Sequence, residues 1–243
     1  VIMRMVAILM NFAPYGVFCL LAKLFTSQGF SAIINLALYF GTIVFVLFLH
    51  ASVVYTSIFA LLTQLNPLTL FKNMRPALLF AFSTSSSNAT MPITLNVART
   101  RVGAHNSIAS FTIPLGATVN MDGTAIMQGI ATVFIAQAYG LDLTMSEYLA
   151  VVATATLASI GTAGVPGVGL ITLAMVLQQV GLPVEGIGLI IGVDRLLDMM
   201  RTIVNVSGDG MVTAVVADSE GLLDREMFND LSDQDEHQKA NAG

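Results

Sequence analysis

Asp194-Arg195-Leu196-Leu197-Asp198-Met199-Met200-Arg201-Thr202-Ile203-Val204-Asn205-Val206-Ser207-Gly208-Asp209 decides the fold class of this 243-residue chain. At about 100° per residue, Asp194, Asp198, Arg201, Thr202, Asn205 and Asp209 fall within a stripe about 100° wide on an otherwise apolar helix. An ionised group at the centre of a bilayer costs about 3 kcal/mol. Asp122, Asp194, Arg195, Asp198, Arg201 and Asp209 together would cost ~18 kcal/mol facing lipid, more than the ~5–15 kcal/mol that stabilises a typical domain. Several must therefore point inward, toward partners or ligands. An internal ion-pair network, with Asp198 and Arg201 satisfying each other at i,i+3, is the plain alternative. Three acids against one Arg on the stripe leave negative charge over, and unmatched buried carboxylates want cations. Arg195 lies one position off the stripe, where snorkelling or pairing with Asp194 gives it a structural role.

Composition supplies the membrane. The chain is 55% hydrophobic and 10% charged, with no Trp, against about 25% charged residues in a soluble domain. Too few charges exist to make a polar skin. Residues 218–243 hold eight acids against Arg225 and Lys239, whereas the rest holds seven acids and eight bases. The acidic balance is thus a property of a solvated, cytoplasmic tail. Soluble enzymes, nucleic-acid binders and disulfide scaffolds are disfavoured. Cys19, the only cysteine, allows no intrachain disulfide and reads as a small buried hydrophobe. The start, Val1-Ile2-Met3-Arg4, has neither an initiator Met nor a signal-peptide layout, so the chain reads as a piece of a longer protein.

No Asp, Glu, Lys or Arg occurs in residues 24–71, 76–98, 102–121, 123–141 or 148–184. A crossing helix needs about 20 apolar residues, which places one within residues 1–25 and a second, long one within 32–62. Residues 68–83 are apolar but short. They run into a polar tip, Thr84-Ser85-Ser86-Ser87-Asn88-Ala89-Thr90, before Pro92 is expected to restart a helix. Residues 144–158 are again short and meet Ser159-Ile160-Gly161-Thr162-Ala163-Gly164-Val165-Pro166-Gly167, followed by a second half-length segment to Val180. Broken backbone at membrane depth survives only inside protein or beside a water-filled cavity. Two helical hairpins that dip in and return are the economical reading. Ser85 to Pro92 and Ser159 to Pro166 share a spacing of seven, offset by 74 residues, and the same offset carries Asn120 to Asp194 and Thr124 to Asp198. Paired interrupted segments in two halves point to a transporter site.

Asn120-Met121-Asp122-Gly123-Thr124 interrupts an apolar span with residues that are poor in helix interiors. It reads either as a structural kink or as an unwound turn whose carbonyls, with one or two carboxylates, cage a hard cation. Ser85, Ser86 and Ser87 can cap the second arm of their hairpin or offer donors to an anion. His50 reads as a packed or interfacial residue, His105 lies at a hairpin end and His237 in the tail; none is a convincing catalytic base.

Four motifs in order resemble the dicarboxylate/amino acid:cation symporters, which include the excitatory amino acid transporters and their sodium-coupled prokaryotic homologues. They are Ser85-Ser86-Ser87-Asn88-Ala89-Thr90-Met91-Pro92, Asn120-Met121-Asp122-Gly123-Thr124, Gly161-Thr162-Ala163-Gly164-Val165-Pro166-Gly167, and the run from Asp198 to Asp209. The resemblance covers most of the chain from Ala13-Pro14 onward. It implies an all-α membrane protein with transmembrane helices, two re-entrant helical hairpins in an inverted repeat, and interrupted helices at the midplane. Residues 1–30 would be a scaffold-type transmembrane helix, and 31–217 a transport domain with hairpins about 68–105 and 144–181. Residues 218–243 would be the acidic tail.

The implied function is secondary active uptake of L-aspartate or L-glutamate, coupled to sodium by alternating access. The setting would be a multi-pass protein of the cell (inner or plasma) membrane. Asp198 would hold the cargo amine, helped by Ser86 and Ser87 in the first tip. Arg201 would clamp the side-chain carboxylate, with Thr124 beside it. Asn205 and Thr202 would meet the α-carboxylate and amine ends, and the second tip near Val165 and Gly169 would close over the ligand. Sodium, the co-transported ion, would sit among Gly116 and Asn205 carbonyls, Asn120 and Asp209. A second ion would use carbonyls of Thr118, Ser159, Ile160 and Thr162, and a third Asn120 and Asp122. The family's trimerisation scaffold, and one helix completing a sodium site, would lie outside this stretch, the full-length protein being a homotrimer in the lipid bilayer. Ser85 and Met199 depart from the family pattern, in which one of these positions carries an additional Arg. Proton coupling, or dicarboxylate or neutral amino acid cargo, are the alternatives within the family. A passive channel is the rival outside it. An intramembrane aspartyl protease is disfavoured because most of the acids share one helix, and nothing else suggests an enzyme.

Overall fold

The computed structural model describes residues 31–230, which are helical apart from turns and one isolated bridge between Ala104 and Leu223. The helix expected within residues 1–25, the 1–30 scaffold segment, Cys19 and His237 lie outside the described residues. α1 (Ser31–Leu49) passes through a π-helical turn (His50–Tyr55) into α2 (Thr56–Thr63). Within this run, Ile34–Thr63 is 30 residues long and apolar enough to cross a membrane. At 1.5 Å per residue it reaches ~45 Å, more than the ~30 Å hydrocarbon core. Outward faces are oily: Phe48, Leu61, Leu157 and Ile171 are each about 70–80% exposed, a surface that water would penalise.

The first hairpin pairs α3 (Pro67–Thr84) with α4 (Ser87–Thr100). Asn66 starts α3 by accepting a hydrogen bond from Leu68 N, with Pro67 in the first turn, where its missing N–H costs nothing. The tip is tighter than the expected 84–90. Only Ser85 and Ser86 are non-helical, and α4 restarts at Ser87, five residues before Pro92. The reason is the cap: Ser86 Oγ accepts from Ala89 N at 3.1 Å, and Thr90 N donates to Ser86 O at 3.0 Å. Pro92, inside α4, forfeits one helical bond instead of beginning the helix. The sharp reversal also requires Ser85 at φ 52°, a left-handed conformation that a non-glycine residue adopts at a cost.

α5 (Asn106–Val119) and α6 (Asp122–Ala138) are separated by non-helical Asn120 and Met121, the unwound turn expected from the motif. The second hairpin pairs α7 (Met145–Ser159) with α8 (Val168–Gln179) across residues 160–167. A reciprocal Thr144–Glu147 capping box begins α7. After a 3-10 turn (Val184–Gly186), α9 (Ile187–Ser219) runs unbroken for 33 residues. It forms the axis of the fold, packing against α1, α3, α4, α5, α6 and α8. Met74, Ile113, Met127, Leu173 and Leu197 fill the spaces between these helices.

The beginning of the acidic tail is ordered, with most of its residues exposed to solvent. α9 continues through Ser219, and residues 220–230, including α10 (Arg225–Asn229), fold back on the base of the first hairpin. Asp224 N donates to Gly103 O at 2.8 Å, and Asn73 Nδ2 donates to Phe228 O at 2.9 Å. Arg225 pairs with Asp218 and reaches Thr63 O. Phe228 is fully buried and stacks near Phe59 at 5.9 Å. Apolar burial outweighs the local acidity. Phe228→Ala is expected to cost ~3–5 kcal/mol, read as a lower midpoint in denaturant unfolding of the purified protein. Thr144→Ala, at an exposed cap, should cost only ~1 kcal/mol.

A buried polar stripe between two hairpin tips

All six stripe residues of α9 are buried, and Arg201 is 0% exposed. Arg201 NH2 donates to Asp198 Oδ1 at 2.7 Å, and its NH1 stands 3.2 Å from Asp194 Oδ1. The sequence alternative of Arg201 pairing along its own helix is therefore realised, with Asp194 as well as Asp198. Two carboxylates face one guanidinium, so the cluster keeps excess negative charge. Arg201 Nε and NH1 still lack a hydrogen-bond acceptor of good geometry, as does Asp194 Oδ1 a donor. Buried groups in that condition favour a ligand that completes them. Arg195 makes no ion pair with Asp194 among the described residues, and its NH1 is sealed without a hydrogen-bond partner.

Asp198 also reaches the second tip, where its Oδ2 accepts from Gly167 N at 3.0 Å. The same tip touches the first: Ser86 Oγ donates to Gly164 O at 2.6 Å, as does Asn88 N at 3.1 Å. A Cβ on Gly164 would come within 3.1 Å of Ser87 Cβ. Gly169, in the first turn of α8, lies against Arg201: a Cβ there would be 3.0 Å from NH1. Among the expected cargo residues, Ser86, Ser87, Gly169, Asp198 and Arg201 are thus drawn into one neighbourhood. Asn205 and Thr124 meet at 3.5 Å on its α6 side, where Gly123 N donates to Asn205 Oδ1 at 2.8 Å. Thr202 Oγ1 donates to Asp198 O within its own helix. Val165 remains 43% exposed, its N–H donating to Ala163 O within the tip.

The residues expected around the first ion are likewise brought together. Asn120 Nδ2 donates to Asn205 O at 3.1 Å and to Asp209 Oδ1 at 3.0 Å, while Asn120 N donates to Gly116 O at 2.8 Å. Close approach demands glycine here. A Cβ on Gly116 would sit 2.5 Å from Asp209 Oδ1, and one on Gly208 would collide with Asn120 Nδ2 and Tyr55 Oη. Carboxylate, amide and backbone carbonyl oxygens suit a hard cation. No group of three His, Cys, Asp or Glu side chains occurs among the described residues. Of the second expected set, Thr118 O accepts from Gly161 N at 2.8 Å, between Ile160 and Thr162 in sequence, and Ser159 O accepts from Thr162 N at 3.1 Å within the tip.

Asp122, expected to share an ion with Asn120, turns to other partners. Tyr55 Oη donates to Asp122 Oδ2 at 2.8 Å, and His50 Nε2 lies 3.2 Å from the same oxygen. His50 is therefore more than a packed residue. Sequence reading missed the pair because residues five apart diverge by about 140° on an α-helix. The π-helical turn that holds both gathers them on one side, with ring centroids 4.6 Å apart. Gln128, also missed, is fully buried and donates to Thr172 Oγ1 at 2.6 Å, tying α6 to α8. A separate cavity of about 810 Å³ between α1, α6 and α7, lined by Tyr39, Phe134 and Tyr148, has no stripe residue in its lining.

Gly208→Ala is expected to push Asn120 and Tyr55 from Asp209 and Asp122, lowering thermal stability and disturbing the Asn120–Asp209 cluster. Gly129→Ala, with open space around its Cα, should raise stability slightly, because alanine is the better helix former. Differential scanning fluorimetry of the two variants, with and without sodium, makes the comparison.

Comparison with known proteins fits this geometry. The sodium:dicarboxylate symporter family matches residues 1–219. Mouse (Mus musculus) excitatory amino acid transporter 4 is 42% identical over 228 residues, covering 93% of this chain and 40% of its own length. An excitatory amino acid transporter of Caenorhabditis elegans is 41% identical over 218 residues, 89% of this chain and 43% of its own. Mouse excitatory amino acid transporter 3 is 42% identical over 215 residues, 88% and 41% respectively. This chain spans about two fifths of the length of these relatives. With a match running through both hairpin tips, the unwound turn and the polar stripe, the chain belongs to the sodium:dicarboxylate symporter family.

Proposed function

We propose that this chain is the transport core of a secondary active symporter that takes up acidic amino acids, L-aspartate or L-glutamate, with sodium. The observation that carries the reading is the shared carboxylate of Asp198, held by Arg201 on one oxygen and by Gly167 N on the other. One group thereby joins the buried cation to the second hairpin tip. A cargo amine arriving at Asp198 competes with both bonds, while the cargo's side-chain carboxylate takes the unpartnered donors of Arg201. A neutral side chain leaves those donors without an acceptor, which selects acidic cargo. Thr124, Thr202 and Asn205 orient the α-carboxylate and amine, and Ser86 and Ser87 face them from the first tip. Val165 and Gly169 belong to the closing edge of the second tip.

Sodium is cargo on this reading. It takes Gly116, Asn120, Asn205 and Asp209 as one set, and Thr118, Ser159, Ile160 and Thr162 as a second. Asn120 with Asp122 makes a third, tuned by Tyr55 and His50. Because the second set includes the tip itself, ion binding and tip closure become one linked equilibrium. Both hairpins are re-entrant, related as an inverted repeat, and residues 31–217 move as one transport domain by alternating access against a scaffold that includes residues 1–30. The full-length protein is a multi-pass homotrimer of the cell membrane, whose acidic tail of residues 218–243 faces the cytoplasm.

The test is uptake of radiolabelled aspartate by the reconstituted full-length protein, with and without an inward sodium gradient. Uptake should need the gradient and fall at least a hundredfold in Arg201→Ala. Uptake indifferent to sodium, or unchanged in that variant, refutes the assignment. Flux of inorganic ions alone, without cargo, would mark a passive channel instead. Asp209→Asn should raise the sodium concentration for half-maximal uptake by about 10-fold or more, the loss of a charge-assisted contact being worth ~1.5–3 kcal/mol.

A further inference from the structure

We infer that Tyr39 receives the carboxylate of Asp194 when an acidic cargo displaces it from Arg201, which makes Tyr39 a positioning residue for cargo selection. The inference deepens the transport reading above and rests on it. Leu36, Tyr39, Ile43 and Leu47, spaced three or four apart, form the buried inner face of α1. That face packs against α6 and α9, and the Tyr39 ring lies against Phe134 with centroids 4.8 Å apart. The hydroxyl is sealed from solvent and has no hydrogen-bond partner among the described residues. Asp194 and Arg201 are the charged groups whose fields reach it. A buried hydroxyl without a partner costs free energy that phenylalanine would avoid. Asp194 Oδ1, in the same interior, accepts no hydrogen bond either.

Competition at the guanidinium says which carboxylate gives way. Asp198 holds NH2 at 2.7 Å, and its other oxygen accepts from Gly167 N at 3.0 Å. Asp194 stands 3.2 Å from NH1 without the alignment of a hydrogen bond, so its hold is the weaker. NH1 is also the donor that Gly169 leaves open, since a Cβ there would crowd it at 3.0 Å. A cargo carboxylate arriving at NH1 therefore displaces Asp194 before Asp198. Without a new donor, the displaced carboxylate would repel the incoming one and bear the cost of its own desolvation. The phenol of Tyr39 offers a charge-assisted bond and keeps its proton, so it adds no net charge to the pocket. Arg195 NH1 is also a buried donor without a partner, and its charge acts on Asp194. It leaves α9 about 100° around the helix from Asp194, and its full charge would hold Asp194 with or without cargo.

Calorimetric titration of L-aspartate into the full-length protein in saturating sodium tests the inference. Tyr39→Phe keeps the ring on Phe134 and removes only the hydroxyl. It should weaken aspartate binding about tenfold or more, the loss of a hydrogen bond to a charged group, with the thermal midpoint unchanged. In an Asp194→Asn background the same change should cost less than about threefold, because the charge it serves is gone. Tyr148→Phe and Arg195→Gln should leave binding unchanged. Infrared difference spectra of aspartate binding, with ring-labelled tyrosine, give a second reading. A tyrosine C–O band should shift on binding, and the shift should vanish in Tyr39→Phe and persist in Tyr148→Phe. Should Asp194→Asn bind no aspartate, this band decides alone. Unchanged affinity in Tyr39→Phe overturns the inference, as does an equal loss in the Asp194→Asn background or the lack of a Tyr39-dependent band. A lowered thermal midpoint in Tyr39→Phe also overturns it, in favour of a structural role. Aspartate binding that is intact and indifferent to Tyr39 sinks this inference alone, whereas an unmodified protein that binds no aspartate in sodium sinks the transport reading.

Discussion

A guanidinium with no exposure to solvent, held between two carboxylates, sets the terms for the rest of this fold. Desolvating three charges is costly unless every donor and acceptor is matched, and here the match is incomplete. The surrounding helices limit the cost by geometry. α9 carries the stripe at its centre and α6 begins beside Asn205. The two hairpin tips meet above Asp198 through Ser86, Gly164 and Gly167. What remains unsatisfied after that packing is what a zwitterion with an extra carboxylate can supply. On this account function is the completion of a buried electrostatic cluster, with tip contacts as its mechanical consequence.

A second cluster lies one to three turns further along α9, and on the proposed reading it follows the same logic with sodium. Asp209 has Asn120 as its partner and the backbone of Gly116 pressed against it. Asp122 is steadied by Tyr55 and His50. Acidic oxygens surrounded by neutral donors and carbonyls leave negative charge of the kind a small hard cation suits. Asn120 and Asn205 belong to this cluster, and Asn205 also faces Thr124 beside the cargo residues. The two sites are therefore continuous through shared side chains, which gives coupling a physical route.

Much of this was legible in the sequence because charge in an apolar helix is a strong signal. The stripe, the unwound turn at Asn120-Met121 and both hairpins followed from where polar residues interrupt uncharged windows. Three features were not legible. The tip of the first hairpin closes at Ser85 and Ser86 because a serine cap outweighs the nearby proline, a local competition that composition does not decide. His50 and Tyr55 converge on Asp122 only because a π-helical turn changes the helical period between them. Phe228 draws the start of an acidic segment onto Phe59, where burial of one aromatic ring outweighs the charge pattern around it. In each case a tertiary or conformational effect acted on a residue whose neighbours in sequence gave the opposite cue.

On the proposed reading, sodium and cargo adjoin one another in one charged interior, which makes their affinities interdependent. Calorimetric titration of aspartate into the purified full-length protein, repeated across sodium concentrations, measures that dependence at equilibrium. The account predicts aspartate affinity that climbs steeply with sodium, with no comparable rise in potassium or choline. A dissociation constant for aspartate that stays the same from sodium-free buffer to saturating sodium would contradict it.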